Sequence, residues 1–188
     1  LARLTGIESQ SALAVWAVES SSADFRRGHP ILRFENHILF SRWGKDNEAS
    51  FDAHFQFGGR NGISGNRWEQ HQFRLSPGDE WRKFHGDQTR EYEVFNLAAR
   101  LASREIACQS ASFGGPQIMG FNHDVIGYRS ATELWKAFST SERWHVFGFF
   151  DFCQSKDLID TIRQKRWHDF ARVYTGVGNA NVYAPTIA

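Results

Sequence analysis

The sequence predicts a mainly α domain of the α+β type, with a small irregular or β-containing lobe that forms one wall of a cleft. Two observations support this class. Apolar residues recur at helical spacing in both terminal parts, whereas residues 44–88 are rich in glycine and aromatic residues and keep no helical period. A chain of 188 residues can form one compact domain. We therefore expect a single domain over residues 1–188, with the lobe at about 44–88 and a helical part at about 89–176.

The N-terminal elements follow from capping residues and apolar spacing. A first helix starts at Ser9 or Ser11, because either hydroxyl can accept a bond from a backbone N–H of the first turn. The helix is expected to end between Ser20 and Asp24, where the chain becomes serine-rich and polar. The segment 30–40 is apolar and mixed, so it fits an extended strand or a helix.

Beyond the lobe the helical signal returns. Apolar residues from Val94 to Cys108 fall close to one face of a helix over about residues 90–107. Further helices are predicted after the possible capping boxes Ser130/Glu133 and Ser139/Glu142, from Ser155 to Arg166, and over Trp167–Tyr174, which Gly176 ends.

Composition excludes several classes of protein. The net charge of +1 argues against a dedicated nucleic-acid binder, and no apolar run approaches the roughly 20 residues of a membrane helix. Aromatic residues make up 15% of the chain, which is enough to fill a core and also to line a groove. Cys108 and Cys153 are too few for a disulfide scaffold, so they form either one bridge or two buried thiols.

Glu19 is the first candidate for chemistry. It lies at the predicted C-terminal end of the first helix, whose partial negative charge disfavours an ionised carboxylate. Apolar neighbours such as Trp16 and Val18 would desolvate it, and both effects raise a carboxyl pKa. A carboxyl that stays protonated near neutral pH suits a general acid. The alternative is that Glu19 simply faces water at a fraying helix end.

Two further elements contain candidate binding residues. The segment 110–122 is glycine-rich and offers Ser112, Gln117 and Asn122, of which Gln117 can bind a ligand through both amide atoms. Tyr174 offers a ring and a hydroxyl at the end of the last helix. The alternatives are a plain turn between helices for the first element and a core tyrosine for the second.

The sequence contains no recognised motif for binding a metal ion or a nucleotide. The 8 histidines include no His-Glu-x-x-His element, there is no Cys-x-x-Cys pair, and no glycine-rich phosphate loop follows a strand. Glu35 with His37, or His123 with Asp124, are weak candidate pairs of ligands. We expect no metal ligands and no cofactor.

Together the elements resemble the lysozyme-like superfamily, and more narrowly the N-acetylmuramidase catalytic domain of phage endolysins and secreted microbial proteins. The resemblance is carried, in the family's order, by Ala17–Ser20, by Gly28–His37, by Phe113–Tyr128 and by Trp167–Gly176. It departs at Pro116, where a larger apolar residue is usual, and at Thr175, where asparagine is usual.

The resemblance implies a lysozyme-like fold and cleavage of the β-1,4 bond between N-acetylmuramic acid and N-acetylglucosamine in bacterial peptidoglycan. By position, Glu19 matches the superfamily's catalytic acid, and Gln117 and Tyr174 match residues that line the sugar cleft. The implied protein is a monomer without nucleic-acid or membrane partners. It is secreted or phage-encoded, and a separate cell-wall-binding module belongs to many such proteins.

A second carboxylate is needed for hydrolysis, either about 6.5–9.5 Å from the acid for inversion or about 5–5.5 Å for retention. Glu35 leads, because the chain can fold back after Glu19, although Glu35 could instead pair with Arg33 or His37 and hold the turn. The reserve carboxylates are Asp46, Glu48, Asp52 and Glu69. A lytic transglycosylase, which uses Glu19 alone, and a non-catalytic glycan-binding domain are the alternatives.

Basic and aromatic residues of the lobe are expected to form part of the groove. The candidates are Arg60, Arg67, Trp68 and Trp81. A pI of about 8 suits approach to a polyanionic glycan.

Overall fold

A computed structural model describes residues 5–20, 25–26, 29–174 and 185 of the chain. The helices are α1 (Ser9–Ser20), α2 (Asn36–Arg42), α3 (Glu48–His54), α4 (Gln88–Leu101), α5 (Arg104–Gln109), α6 (Ala131–Thr140), α7 (Glu142–Ser155), α8 (Ile159–Arg163) and α9 (Trp167–Tyr174). The strands are β1 (Phe25–Arg26), β2 (His29–Pro30), β3 (Leu32–Phe34), β4 (Phe55–Gln56), β5 (Gln72–Phe73), β6 (Arg82–Lys83), β7 (Ala111–Phe113) and β8 (Ile118–Met119). The predicted class, mainly helical with small antiparallel sheets, is confirmed.

The first helix ends at Ser20, as its polar C-terminal sequence predicts. Its residue Val15 is fully buried in a cluster with Ile7 and with apolar residues of α7, α8 and α9. This contact joins the start of the chain to its C-terminal helices. After α1, the short β1–β2 pair turns the chain toward β3.

The segment 30–40 contains both predicted conformations in succession, because β3 is followed directly by α2. Leu32 and Phe34 are fully buried on one face of β3, while Arg33 between them is exposed. β3 pairs antiparallel with β7, which pairs with β8, so β7 is the central strand of a three-stranded sheet.

The lobe at residues 44–88 contains the short strands that its composition predicts, β4, β5 and β6, in one antiparallel sheet. It also contains the helix α3, which was not predicted. Its buried phenylalanines belong to the same core cluster as β3 and α4, so the lobe shares that core. These residues are Phe51, Phe55, Phe57, Phe73 and Phe84.

Three helix predictions are wrong at their boundaries. The helix predicted over 90–107 is two helices, because Ser103 is extended and its hydroxyl accepts a bond from Ile106 N, which starts α5. Ser139 does not cap a helix: it lies inside α6 and bonds to Trp135 O, and Ser141 caps α7 instead. Ser155 is the last residue of α7 and so cannot cap the next helix.

Other signals at the C-terminal half hold. Ser130 caps α6 by accepting a bond from Glu133 N, and α9 spans the predicted residues Trp167–Tyr174. Gly176 lies outside the described residues.

Cys108 and Cys153 are both buried but belong to different core clusters, so they are separate thiols rather than one bridge. In the described part of the chain, no helix has the length and apolarity required to cross a bilayer.

Candidate active site

Glu35 is placed by the edges of β3. Its backbone N–H donates to Ser110 O over 2.8 Å, which continues the β3–β7 ladder by one bond. On the other edge, the Gln88 amide exchanges two hydrogen bonds with Leu32, and Glu91 Oε2 accepts from Phe34 N over 2.8 Å. Because α4 and β7 hold both edges of the strand, the residue that follows it has a fixed position.

Asn36 brings the lobe against this position. Its side chain is buried, and its Nδ2 donates to Gln56 O over 2.9 Å and to Gln72 O over 2.8 Å. These two carbonyls belong to β4 and β5. The residue directly after Glu35 therefore clamps two lobe strands, and this places His71 next to the Glu35 carboxylate.

The Glu35 side chain is 13% exposed and is surrounded by basic groups. Oε1 accepts a bond of 2.9 Å from Arg33 Nε, and Oε2 lies 3.4 Å from both His37 Nδ1 and His71 Nδ1. At 3.4 Å, neither of these two histidine contacts is a formed hydrogen bond. Among the described residues, buried Oε2 and His37 Nδ1 thus have no hydrogen-bond partner.

This environment keeps Glu35 ionised. Burial alone raises the pKa of its carboxyl, but the contacts with His37 and Arg33 outweigh burial and lower that pKa from 4.5 to about 2. A carboxyl with this pKa is an anion at neutral pH. It can act as a base, as a nucleophile or as a stabiliser of positive charge, but it cannot serve as the general acid.

A chain of polar groups continues inward from Glu35. His71 has no exposed side-chain surface, its Nε2 lies 2.9 Å from Arg67 O, and its Nδ1 lies 3.0 Å from His85 Nε2. His85 Nδ1 in turn lies 3.0 Å from Oε1 of the buried Glu91. Burial lowers the pKa of His71 to about 4, so its ring is neutral, and burial raises the pKa of Glu91.

The hydrogen-bond partners decide where the protons of this chain lie. The carbonyl of Arg67 only accepts, so neutral His71 carries its proton on Nε2 and a lone pair on Nδ1. His85 Nε2 then donates to His71 Nδ1. One proton lies between His85 Nδ1 and Glu91 Oε1, which are 3.0 Å apart. The buried oxygen Oε2 of Glu35 consequently faces a lone pair of His71 rather than a proton.

Glu19 lies in the last turn of α1, at the helix end that the sequence predicted. Its side chain, and with it the separation of the Glu19 and Glu35 carboxyls, lies outside what the structure describes. The reserve carboxylates of the lobe have structural partners: Asp52 and Glu48 pair with Arg60, and Glu69 Oε2 accepts from Asn66 N. Asp46 is exposed in a 3-10 turn.

The predicted substrate residues cluster in part. Ser112 is buried in β7 and its hydroxyl donates to Gln117 Oε1 over 2.9 Å, while Gln117 Nε2 donates to Gly114 O over 2.8 Å. Both atoms of the Gln117 amide are therefore used within the β7–β8 hairpin. The hydroxyl of Tyr174 donates to Pro116 O in the same hairpin over 2.9 Å, which ties α9 to it. Asn122 lies farther along, in the 3-10 turn Gly120–Asn122, and is partly exposed.

A depression of about 380 Å³ adjoins His37, which contacts Glu35. Two predicted groove residues, Arg60 and Arg67, line it together with Phe40 and Phe57. The other two do not line it: Trp68 is 56% exposed, and Trp81 lies under the guanidinium of Arg74.

A larger cavity of about 920 Å³ lies between the start of α4 and α6. Its lining includes Tyr92, Phe95, Arg104 and Trp135. None of the predicted catalytic or substrate residues lines this cavity, so we place the candidate site at Glu35 despite the greater volume here.

Comparison with known proteins gives the family. A family model described as N-acetylmuramidase matches residues 8–188, which include Glu19 and the whole Glu35 environment. The chain belongs to the N-acetylmuramidase family. This confirms the resemblance carried by the sequence motifs, and it agrees with the predicted enzyme class, a glycoside hydrolase of the muramidase type.

One solved structure shows the same fold for this N-acetylmuramidase domain. The Burkholderia AP3 phage endolysin superposes with a TM-score of 0.74 at 23% identity, over 99% of this chain. The match covers 64% of the endolysin, so the chain spans somewhat less than two thirds of that protein. The comparison with curated proteins finds no match.

The sequence did not predict the part played by Asn36, His71, His85 and Glu91. These residues follow no motif spacing, and His71 and His85 lie in the irregular lobe. The only local signal was Glu35 beside His37, which places a carboxylate and an imidazole two residues apart.

Proposed function

We propose that this domain hydrolyses the β-1,4 bond between N-acetylmuramic acid and N-acetylglucosamine in bacterial peptidoglycan, with Glu19 as general acid and Glu35 as the second carboxylate. The observation that carries the proposal is the family match over residues 8–188, which spans both glutamates. The electrostatics of Glu35 support a division of labour between them.

The role of Glu35 follows from its charge. Its pKa of about 2 makes it an anion under working conditions, so the proton for the glycosidic oxygen must come from elsewhere. In the transition state, an anion beside the sugar can activate water, attack the anomeric carbon or stabilise the oxocarbenium ion. Arg33, which donates to Oε1, and the adjacent His37 fix the orientation of this carboxylate before substrate binds.

The role of Glu19 follows from its place in the last turn of α1. The partial negative charge of a helix C-terminus opposes ionisation of a carboxyl there and so raises its pKa. Two carboxyl groups in environments that shift their pKa values in opposite directions are typical of an acid and its anionic partner.

The cleft walls are proposed from the remaining candidates. Ser112 and Gln117 shape one wall through the hairpin they hold, and Tyr174 and Asn122 extend it. Arg60 and Arg67 line the depression beside His37. Arg60 is already paired with Asp52, so Arg67 offers the cationic donor to the carboxylates of the peptide stems.

The cellular setting is part of the proposal. We propose that this domain belongs to a cell-wall-degrading, antimicrobial enzyme that is secreted or encoded by a phage. Its partner is peptidoglycan, and the domain acts as a monomer. The endolysin that shares its fold is the longer chain, which is compatible with a separate cell-wall-binding module in the full-length protein.

The test compares Glu19→Gln and Glu35→Gln with Glu80→Gln, an exposed glutamate of the lobe. Clearing of purified peptidoglycan should fall by about 10²–10⁴-fold in the first two variants and stay unchanged in the third, with circular dichroism showing that all three fold. Mass spectrometry of the wild-type products should find reducing-end muropeptides.

Other results would overturn parts of the proposal. Near wild-type clearing by Glu19→Gln removes it as the acid. Anhydro products identify a lytic transglycosylase, and full activity of Glu35→Gln agrees with that. Binding to the wall without any cleavage identifies a non-catalytic glycan-binding domain.

A further inference from the structure

We propose that Glu35, His71 and His85 form a binding site for a divalent transition-metal ion of the zinc type. One ligand atom from each of these residues lies within 4.8 Å of the other two. The site itself is independent of the proposed function, but its effect on catalysis, described below, rests on it.

The distances fit such an ion with little movement. Zinc binds imidazole nitrogen and carboxylate oxygen at about 2.0–2.2 Å, so ligand atoms in a tetrahedral site lie about 3.4 Å apart. His71 Nδ1 is 3.4 Å from Glu35 Oε2 and 3.0 Å from His85 Nε2. Closing the remaining pair from at most 4.8 Å requires a shift of about 1 Å or slightly more, mainly of the partly exposed His85 side chain.

The proton count of the cluster also favours a cation. Glu35 Oε2 is buried and unpartnered among the described residues, and it faces the lone pair of His71 Nδ1. An ion at this point accepts the lone pairs of Glu35, His71 and His85 at once. The proton that otherwise bridges the two imidazoles is then released, as expected when a metal displaces a proton from a histidine.

The outer contacts are those that orient metal-binding histidines. His71 donates its other nitrogen to Arg67 O, and the other nitrogen of His85 faces the Glu91 carboxylate. Histidine ligands of metals nearly always make such a bond to a carbonyl or a carboxylate, which fixes the tautomer and the ring plane. Glu91 is itself held by Phe34 N, so the outer contact is rigid.

A fourth position and an entry path are available at His37. Its Nδ1 lies 3.4 Å from Glu35 Oε2, and its ring lines the depression of about 380 Å³. Two imidazoles and one carboxylate with a fourth, accessible position form a ligand set typical of zinc.

A metal ion at this site would bind the Glu35 carboxylate. If Glu35 is the second carboxylate of the muramidase reaction, the bound ion withdraws its charge and inhibits the enzyme. We therefore expect zinc to lower the rate of peptidoglycan clearing by about tenfold or more, and EDTA to restore it.

Binding is tested directly, without activity, on tag-free protein stripped with EDTA. Co²⁺ should develop visible d–d absorption with one equivalent, and Zn²⁺ should bind with the same stoichiometry in calorimetry. His85→Ala should weaken binding by about 100-fold or more, and Glu91→Gln, which keeps all three ligands, by about tenfold. The control is His54→Ala, since His54 contacts a carbonyl of the lobe outside the cluster and should leave binding unchanged.

Absence of Co²⁺ bands and of zinc heat from the wild-type protein overturns the site, as does wild-type affinity in both His85→Ala and Glu91→Gln. Should His85→Ala fail to fold by circular dichroism, Glu91→Gln decides. Metal binding without inhibition leaves the site intact and contradicts the catalytic role of Glu35. Cleavage by a protein that binds no metal leaves the proposed function intact and refutes this proposal.

Discussion

Replacing Gln117 by alanine separates two roles for this residue, a ligand for the sugar and a clamp for the β7–β8 hairpin. The substitution removes two hydrogen bonds, the one from Ser112 Oγ and the one to Gly114 O. At about 1 kcal/mol each, their loss destabilises the protein by about 2 kcal/mol. For a domain of this size that lowers Tm by about 4–8 °C.

The backbone of Gln117 allows a sharper version of the experiment. Its φ is +47°, in the left-handed region, where a side chain costs about 1 kcal/mol relative to glycine. Gln117→Gly should therefore be destabilised by only about 1 kcal/mol, and Gln117→Ala should be the less stable variant. The matched control is Gln154→Ala, since Gln154 is exposed on α7 and its loss should change stability by less than about 0.5 kcal/mol.

Thermal unfolding and peptidoglycan clearing are measured on the same samples. Because the amide is already engaged, KM at a temperature where all variants are folded should change by less than about threefold. A Ser112→Ala/Gln117→Ala cycle should give a coupling of about 1 kcal/mol. An unchanged Tm together with a KM raised tenfold would refute the clamp and make Gln117 a direct ligand of the sugar.

Two further substitutions test how the helical part is held together. Glu105 accepts bonds from the first turn of α6, which lower the pKa of its carboxyl, so Glu105→Gln should cost about 1–2 kcal/mol at neutral pH relative to the Glu80→Gln control. Because the folded-state pKa of Glu105 is lowered, its charge stabilises the fold at pH values above the unfolded pKa near 4.3. The stability difference between Glu105→Gln and the wild type should therefore shrink as denaturation is measured at progressively more acidic pH. A difference that stays constant with pH would contradict the ionic cap. Gly120→Ala would drive a methyl group into the carbonyl of Cys108 and should cost about 3 kcal/mol or more by chemical denaturation, whereas Gly78→Ala, with open space around it in the described chain, should be nearly neutral. Equal stability of the two alanine variants would show that the contact between α5 and the 3-10 turn Gly120–Asn122 is looser than described.

Local signals in the sequence predicted most helices because capping and periodicity act within a few residues. α1, α6 and α9 followed from such signals. Where they failed, two serines competed for one role: Ser139 and Ser141 are both suitable caps, and only packing chooses between them. The single helix predicted over 90–107 was wrong because Ser103 is extended and its hydroxyl accepts from Ile106 N, a local bond that competes with continuing the helix.

The features of the candidate site also differ in whether local sequence signals could predict them. Glu35 could be found from the sequence because it stands in a family motif beside His37. Its charge state could not, because the burial that raises its pKa and the contacts with His37 and Arg33 that lower it depend on where the folded chain places these side chains. Asn36, the residue directly after Glu35, connects Glu35 to the lobe, because its side-chain amide donates to backbone carbonyls of β4 and β5. Its two bonds are made to backbone carbonyls, so no side-chain pattern in the lobe reveals them. A carboxylate motif therefore indicates where the chemistry lies, whereas part of the burial that acts on its pKa comes from contacts that the chain makes only once the lobe has docked on β3.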